Sequence, residues 1–189
     1  MDQKIFSTRA LLLSLVCLIT LTAITGVLTP KRALANEEMQ IKGTFTVAYS
    51  ASPNASGVSF CGGKALDIAV EAHGSGYSTL GPLSLSLHKT LEATGPLMHG
   101  CLVLTTPEGD TLTAIYDGTE GPQNANNFSD ATITLTFTGG TGRFRDAKGN
   151  ANMTAVFSNF YPANSFAGGT TAPLQGVAFY SVDGTVSRE

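Results

Sequence analysis

Between Ala131 and Gly149 the chain alternates with a period of two and then breaks on glycine. Ile133, Leu135 and Phe137 alternate with Thr132, Thr134, Thr136 and Thr138, the β-branched and aromatic pattern of a strand with one face buried. Gly139, Gly140 and Gly142 then supply the backbone freedom of a tight reversal, and Phe144 follows as an apolar anchor. Ala147 and Gly149 lead into a second run, in which Ala151, Met153, Ala155 and Phe157 share one face. The unit reads as strand, glycine turn, strand.

The same period recurs along the chain. Ile41, Phe45, Val47 and Tyr49 alternate with Lys42, Thr44, Thr46 and Ser50 before the turn-rich SASPNASG. A second strand is expected over Val58 to Ala72, with Leu66, Ile68 and Val70 on one face, Asp67 and Glu71 on the other, and Gly62-Gly63 as a bulge. GSGYSTLGP reads as a loop. Leu83, Leu85, Leu87 and Leu91 stand against Ser84, Ser86, His88 and Thr90, the cleanest alternation present. Leu97 to Thr106 is apolar on both faces, as in a central strand. It is expected to form a hairpin through Pro107-Glu108-Gly109-Asp110 with Thr111 to Tyr116. Residues 118–130 read as a solvated loop, and 158–175 as a glycine-rich segment carrying Phe160, Tyr161 and Phe166. Val177 to Val186 is the last strand. About eight strands with no helical periodicity after residue 36 predict an all-β domain, a single eight-stranded antiparallel β-barrel with a β-sandwich as the alternative.

The N-terminus changes the picture of where the domain begins. Lys4 and Arg9 precede an uncharged run from Ala10 to Leu28, and Ala33-Leu34-Ala35 forms a small-x-small triplet. Residues 1–35 therefore read as a signal peptide cleaved after Ala35, with an uncleaved anchor as the alternative. The β-barrel domain is then 36–189, secreted or periplasmic. It keeps seven basic and thirteen acidic residues, a formal net charge of −6. An acidic surface without a Lys or Arg cluster excludes nucleic acid as a partner, and no basic amphipathic stretch offers membrane attachment once the signal is removed. Cys61 and Cys101 remain, and oxidising conditions outside the cytoplasm predict a disulfide enclosing a 40-residue loop, worth roughly 4 kcal/mol in the chain-entropy model. No CxxC or Cys-His spacing suggests a metal, and no cofactor motif is present.

The turn GGTGRFRDAKG, followed by a strand, resembles the glycine-turn motif of the allene oxide cyclase and dirigent barrels. The matching positions are Gly139, Gly140, Thr141, Gly142, Phe144, Ala147 and Gly149, within a resemblance that covers Thr132 to Phe157. It implies an eight-stranded antiparallel barrel. It carries over no catalytic residue.

Candidate chemistry is sparse. Glu71 and His73 fall two apart on an expected strand, so one face would hold a carboxylate and an imidazole able to move a proton. His88 and His99 lie on successive strands. Arg143 and Arg145 flank Phe144, where turn amides and guanidinium groups together suit an anion. Fourteen aromatic residues follow residue 35, and Tyr161 and Phe166 are expected as a lid over one end of the barrel. Three classes of function are open: a barrel that binds a small apolar molecule, a cyclase- or isomerase-type enzyme acting on an apolar substrate, and a non-catalytic structural or protein-interaction module outside the cell. The oligomeric state is not encoded in any of these features.

Overall fold

The computed structural model describes residues 37–93, 95–159 and 174–188. The expected signal segment, and Tyr161 and Phe166, lie outside the described residues. Eight strands run β1 Glu37–Pro53, β2 Ile68–Ser78, β3 Gly81–Leu91, β4 Leu97–Thr105, β5 Thr111–Glu120, β6 Phe128–Gly140, β7 Lys148–Asn159 and β8 Leu174–Arg188. Each pairs antiparallel with the next, and β8 pairs with β1, so the sheet closes into a barrel and not a sandwich. Closure leaves no strand edge unpaired. At the seam the first residue of β1, Glu37, stands opposite Arg188, the last of β8.

Alternation sorts the strands into an apolar interior and a polar wall. Leu83, Leu85 and Leu87 of β3, Ile133, Leu135 and Phe137 of β6, and Met153 and Phe157 of β7 are all buried in one core cluster. The four threonines of β6, Thr132 to Thr138, all face outward.

The two ends of the barrel differ. At one end lie the hairpin turns after β2 and β4, the connection from β6 to β7, the start of β1 and the end of β8. There Gly142–Phe144 forms one turn of 3-10 helix that turns Phe144 and Ala147 into the core, at 1% and 0% exposure. This end is plugged by its own side chains. The opposite end carries the β1–β2, β3–β4, β5–β6 and β7–β8 connections and is called the mouth below.

The glycine turn is built as the sequence suggests, with one difference. Gly139, Gly142 and Gly149 have φ of 128°, 56° and 147°, a region disfavoured for residues with a Cβ. Gly140 does not. A Cβ there would overlap the Thr111 carbonyl, so it is close strand approach that requires glycine.

Three expected boundaries are corrected. The second strand begins at Ile68, not Val58, because residues 54–67 fold back over the outer wall. Asn54 organises this loop, its side-chain amide donating to the Val58 and Leu66 carbonyls at 2.7 and 2.9 Å. Gly62-Gly63 belongs to this loop and is no bulge. The segment GSGYSTLGP is strand except for Thr79-Leu80. Gly74 and Gly76 occupy inward positions where a Cβ would overlap the backbone of Val47 and Phe45, so these glycines serve close packing inside a strand. The expected loop 118–130 shrinks to Gly121–Asn127, since β5 runs on through Glu120 and β6 starts at Phe128.

Candidate binding site in the barrel mouth

The site begins with parity on β3. Leu83, Leu85 and Leu87 point inward, so Lys89, two residues on, must point inward as well. It does, and its side chain is buried at 2% exposure. On β5 the inward row runs Leu112, Ala114, Tyr116, Gly118, Glu120. Among the described side chains, Lys89 and Glu120 are the only charged ones at inward strand positions.

Aromatic and sulfur atoms surround the Lys89 ammonium. Its Nζ lies 4.1 Å from the centroid of the Phe157 ring and 5.8 Å from that of Tyr116. It donates to the Met98 sulfur at 3.9 Å, and the Tyr116 hydroxyl donates to the same sulfur at 3.0 Å. Phe157 meets Tyr49 and Tyr180 edge-on, at 6.0 and 5.9 Å between centroids. Tyr116 and Tyr180 belong to the same buried core cluster. Toward the mouth, buried Ser129 donates its hydroxyl to Glu120 Oε1 at 2.5 Å. Inward glycines make room: Gly100 stands opposite Lys89 on β4, and Gly176 lies against the Tyr49 ring.

Energetics decide the character of this cluster. No carboxylate among the described residues lies within 4.0 Å of Lys89 Nζ. A desolvated cation over an aromatic face gains about 2 kcal/mol, whereas removing an ammonium from water costs several. Burial wins. It pushes the Lys89 amine down from its ordinary value of 10.5 to about 8, while the negative charge of Glu120 works in the other direction. Burial also holds the Tyr116, Tyr180 and Tyr49 hydroxyls well above the ordinary phenol range, with Glu120 adding to the effect. The interior therefore offers neutral phenols and a readily deprotonated amine in a dry setting.

The residues singled out by the sequence lie elsewhere. Glu71 and His73 share the outer face of β2, and the imidazole nearest the Glu71 carboxylate is that of His88, 3.8 Å away and beyond hydrogen-bond reach. His73 meets the His88 ring edge-on at 6.3 Å, and Phe60 covers its other side at 5.4 Å. His88 stands opposite Cys101, not His99, and His99 pairs with Asp117 on β5. Among the described residues no group of three His, Cys, Asp or Glu side chains is placed to hold a metal ion. Arg143 donates to the Leu80 carbonyl at 3.2 Å and stacks 4.9 Å from the Phe144 ring. Cys61 and Cys101 form the expected disulfide, with Cα atoms 5.8 Å apart. It pins the 54–67 loop to β4, and the Lys64 carbonyl accepts from buried Thr90 at 2.7 Å beneath that loop.

Lys89 was legible by parity alone. The leucine-serine alternation draws attention to Leu91 as the next inward residue, and the lysine between Leu87 and Leu91 is passed over. Chain comparison adds no relative to this geometry: no protein-family model, curated protein or solved structure matches the sequence.

Proposed function

We propose that this protein is an exported barrel that binds a small apolar molecule end-on, with an oxygen-bearing head group held at Lys89. The observation that carries this reading is a buried lysine set among Phe157, Tyr116 and Met98, with no carboxylate among the described residues within 4.0 Å of its ammonium. Such a group opposes folding, and a methionine or leucine would fill the same space at less cost. A ligand oxygen would complete its coordination. The plugged end supports entry from the mouth, because Phe144 and Ala147 already fill the other. The four outward threonines of β6 support a water-facing wall, since barrels that cross membranes turn apolar residues outward. The disulfide agrees with an oxidising compartment. We read the glycine turn's likeness to the allene oxide cyclase and dirigent barrels as a likeness of fold.

Thermal-shift measurements with decanoic acid, decanol and decane test the reading on the protein and on Lys89→Met. The expected result is a raised Tm with the two oxygenated ligands, lost or reversed in preference to decane in the variant. Equal shifts in both proteins would remove Lys89 from the site. No shift with any ligand, and none found bound by native mass spectrometry of protein from its own host, would leave the structural module in its place.

A further inference from the structure

We infer that Lys89 is a covalent capture site, its ε-amine condensing with the carbonyl carbon of an apolar aldehyde or ketone to form an imine. The inference rests on the reading that the barrel admits an apolar ligand, and it narrows that ligand's class to carbonyl compounds. Imine formation needs an unprotonated amine, a dry apolar wall beside it and polar hydrogens near the departing oxygen. All three meet here. The Lys89 side chain is enclosed by Phe157, Tyr116 and Met98, with Gly100 in place of a side chain on the facing strand. The Tyr116 and Tyr180 hydroxyls stay protonated and lie in the same cluster. An ordinary ammonium locked to a carboxylate would be inert, and among the described residues no carboxylate lies within 4.0 Å of this one.

The chemistry balances without an oxidant or reductant. The ammonium first gives up its proton to solvent through the Glu120 side of the cluster. The amine lone pair then attacks the carbonyl carbon, the C=O π pair moves onto oxygen, and a proton from nitrogen neutralises it. The hydroxyl then takes up a proton and leaves as water while the nitrogen lone pair forms the C=N bond, and the nitrogen's remaining proton is released to replace the one taken up, which leaves the neutral imine. Amine plus carbonyl gives imine plus water. The titratable groups that face the amine are Glu120 and Tyr116 from β5, Tyr180 from β8 and Tyr49 from β1. The phenols stay neutral through the neutral range, so deprotonation of Lys89 itself governs reactivity there. Near pH 8 about half of Lys89 is free amine, against well under ~1% of an exposed lysine.

Lys42, Lys64 and Lys148 are exposed and serve as internal controls. The full chain is treated with decanal and a mild hydride reagent at pH 7.5, and the alkylated lysines are mapped by peptide mass spectrometry. Decanol binding is followed in parallel by thermal shift. The expected result is one decyl group per chain on Lys89, added at least about tenfold faster than on the three exposed lysines, suppressed by excess decanol and absent in Lys89→Met. If decanol binds but the decyl groups fall on Lys42, Lys64 and Lys148 and not on Lys89, covalent capture is overturned while the binding barrel stands. If decanol does not bind and Lys89 stays unlabelled, both fall together.

Discussion

The Tyr116 hydroxyl and the Met98 sulfur lie 3.0 Å apart, and that contact ties the middle of β5 to the first inward residue of β4. The sulfur accepts from Tyr116 and from Lys89 at once, so a soft, weak acceptor takes the place a carboxylate would normally fill. The charge is tolerated rather than satisfied, and a pH dependence follows.

Because Lys89 titrates near 8 when folded and near 10.5 when free, the unfolded chain binds more protons between those values, and stability rises with pH across that window. Below pH 8 the full penalty is present, on the order of 3 kcal/mol before the ring contacts are counted. Lys89→Met should therefore be more stable than the parent near pH 7, and the gap should close as pH approaches 10. Urea denaturation of both proteins from pH 7 to pH 10 measures it, and the difference between them cancels the tyrosines. A gap that does not change with pH would mean the amine is not desolvated.

Cys61 and Cys101 fasten a loop to a wall, so their reduction should act locally before it acts globally. Cys61→Ala with Cys101→Ala is expected to lose about 2–4 kcal/mol. Hydrogen exchange should quicken first in residues 54–67 and around Thr90, which the loop covers. Uniform loss of protection across all eight strands would contradict this.

Gly142 has φ of 56°, and a Cβ there would collide with the Asp110 carboxylate. Gly142→Val should cost about 1–3 kcal/mol, whereas Asn126→Ala in the exposed β5–β6 loop should be nearly neutral. Melting temperatures decide between them. If the two variants melt together, the turn does not hold β6 and β7 in register.

How much of this was readable beforehand follows from what each residue reports. Ile133 to Phe137 and Leu83 to Leu87 announce strands because side-chain alternation is local, but the count of such runs leaves barrel and sandwich open, and the pairing of β8 with β1 decides for the barrel. Gly74 and Gly76 misled, since a glycine that ends a strand and one that lets Val47 or Phe45 press close look the same in one dimension. Glu71 and His73 were correctly placed on one face, but which imidazole comes near the carboxylate depended on the β2–β3 register, where Glu71 faces His88. Lys89 needed only strict parity, yet the tyrosines around it come from β1, β5 and β8, and no spacing rule joins strands so far apart in sequence.

The seam opposite the mouth has a practical meaning for anyone handling the molecule. Glu37 and Arg188 leave the barrel side by side at the end that Phe144 closes. A reporter or an affinity handle appended beyond Arg188 would hang from the floor and leave the opposite end clear. In a chain trimmed to the barrel, a short peptide from Arg188 back to Glu37, with the opening moved to the exposed Asn126, should preserve the architecture. Immobilised through that floor, the barrel would turn its opposite end, the one nearer Lys89 on β3, toward whatever flows past it.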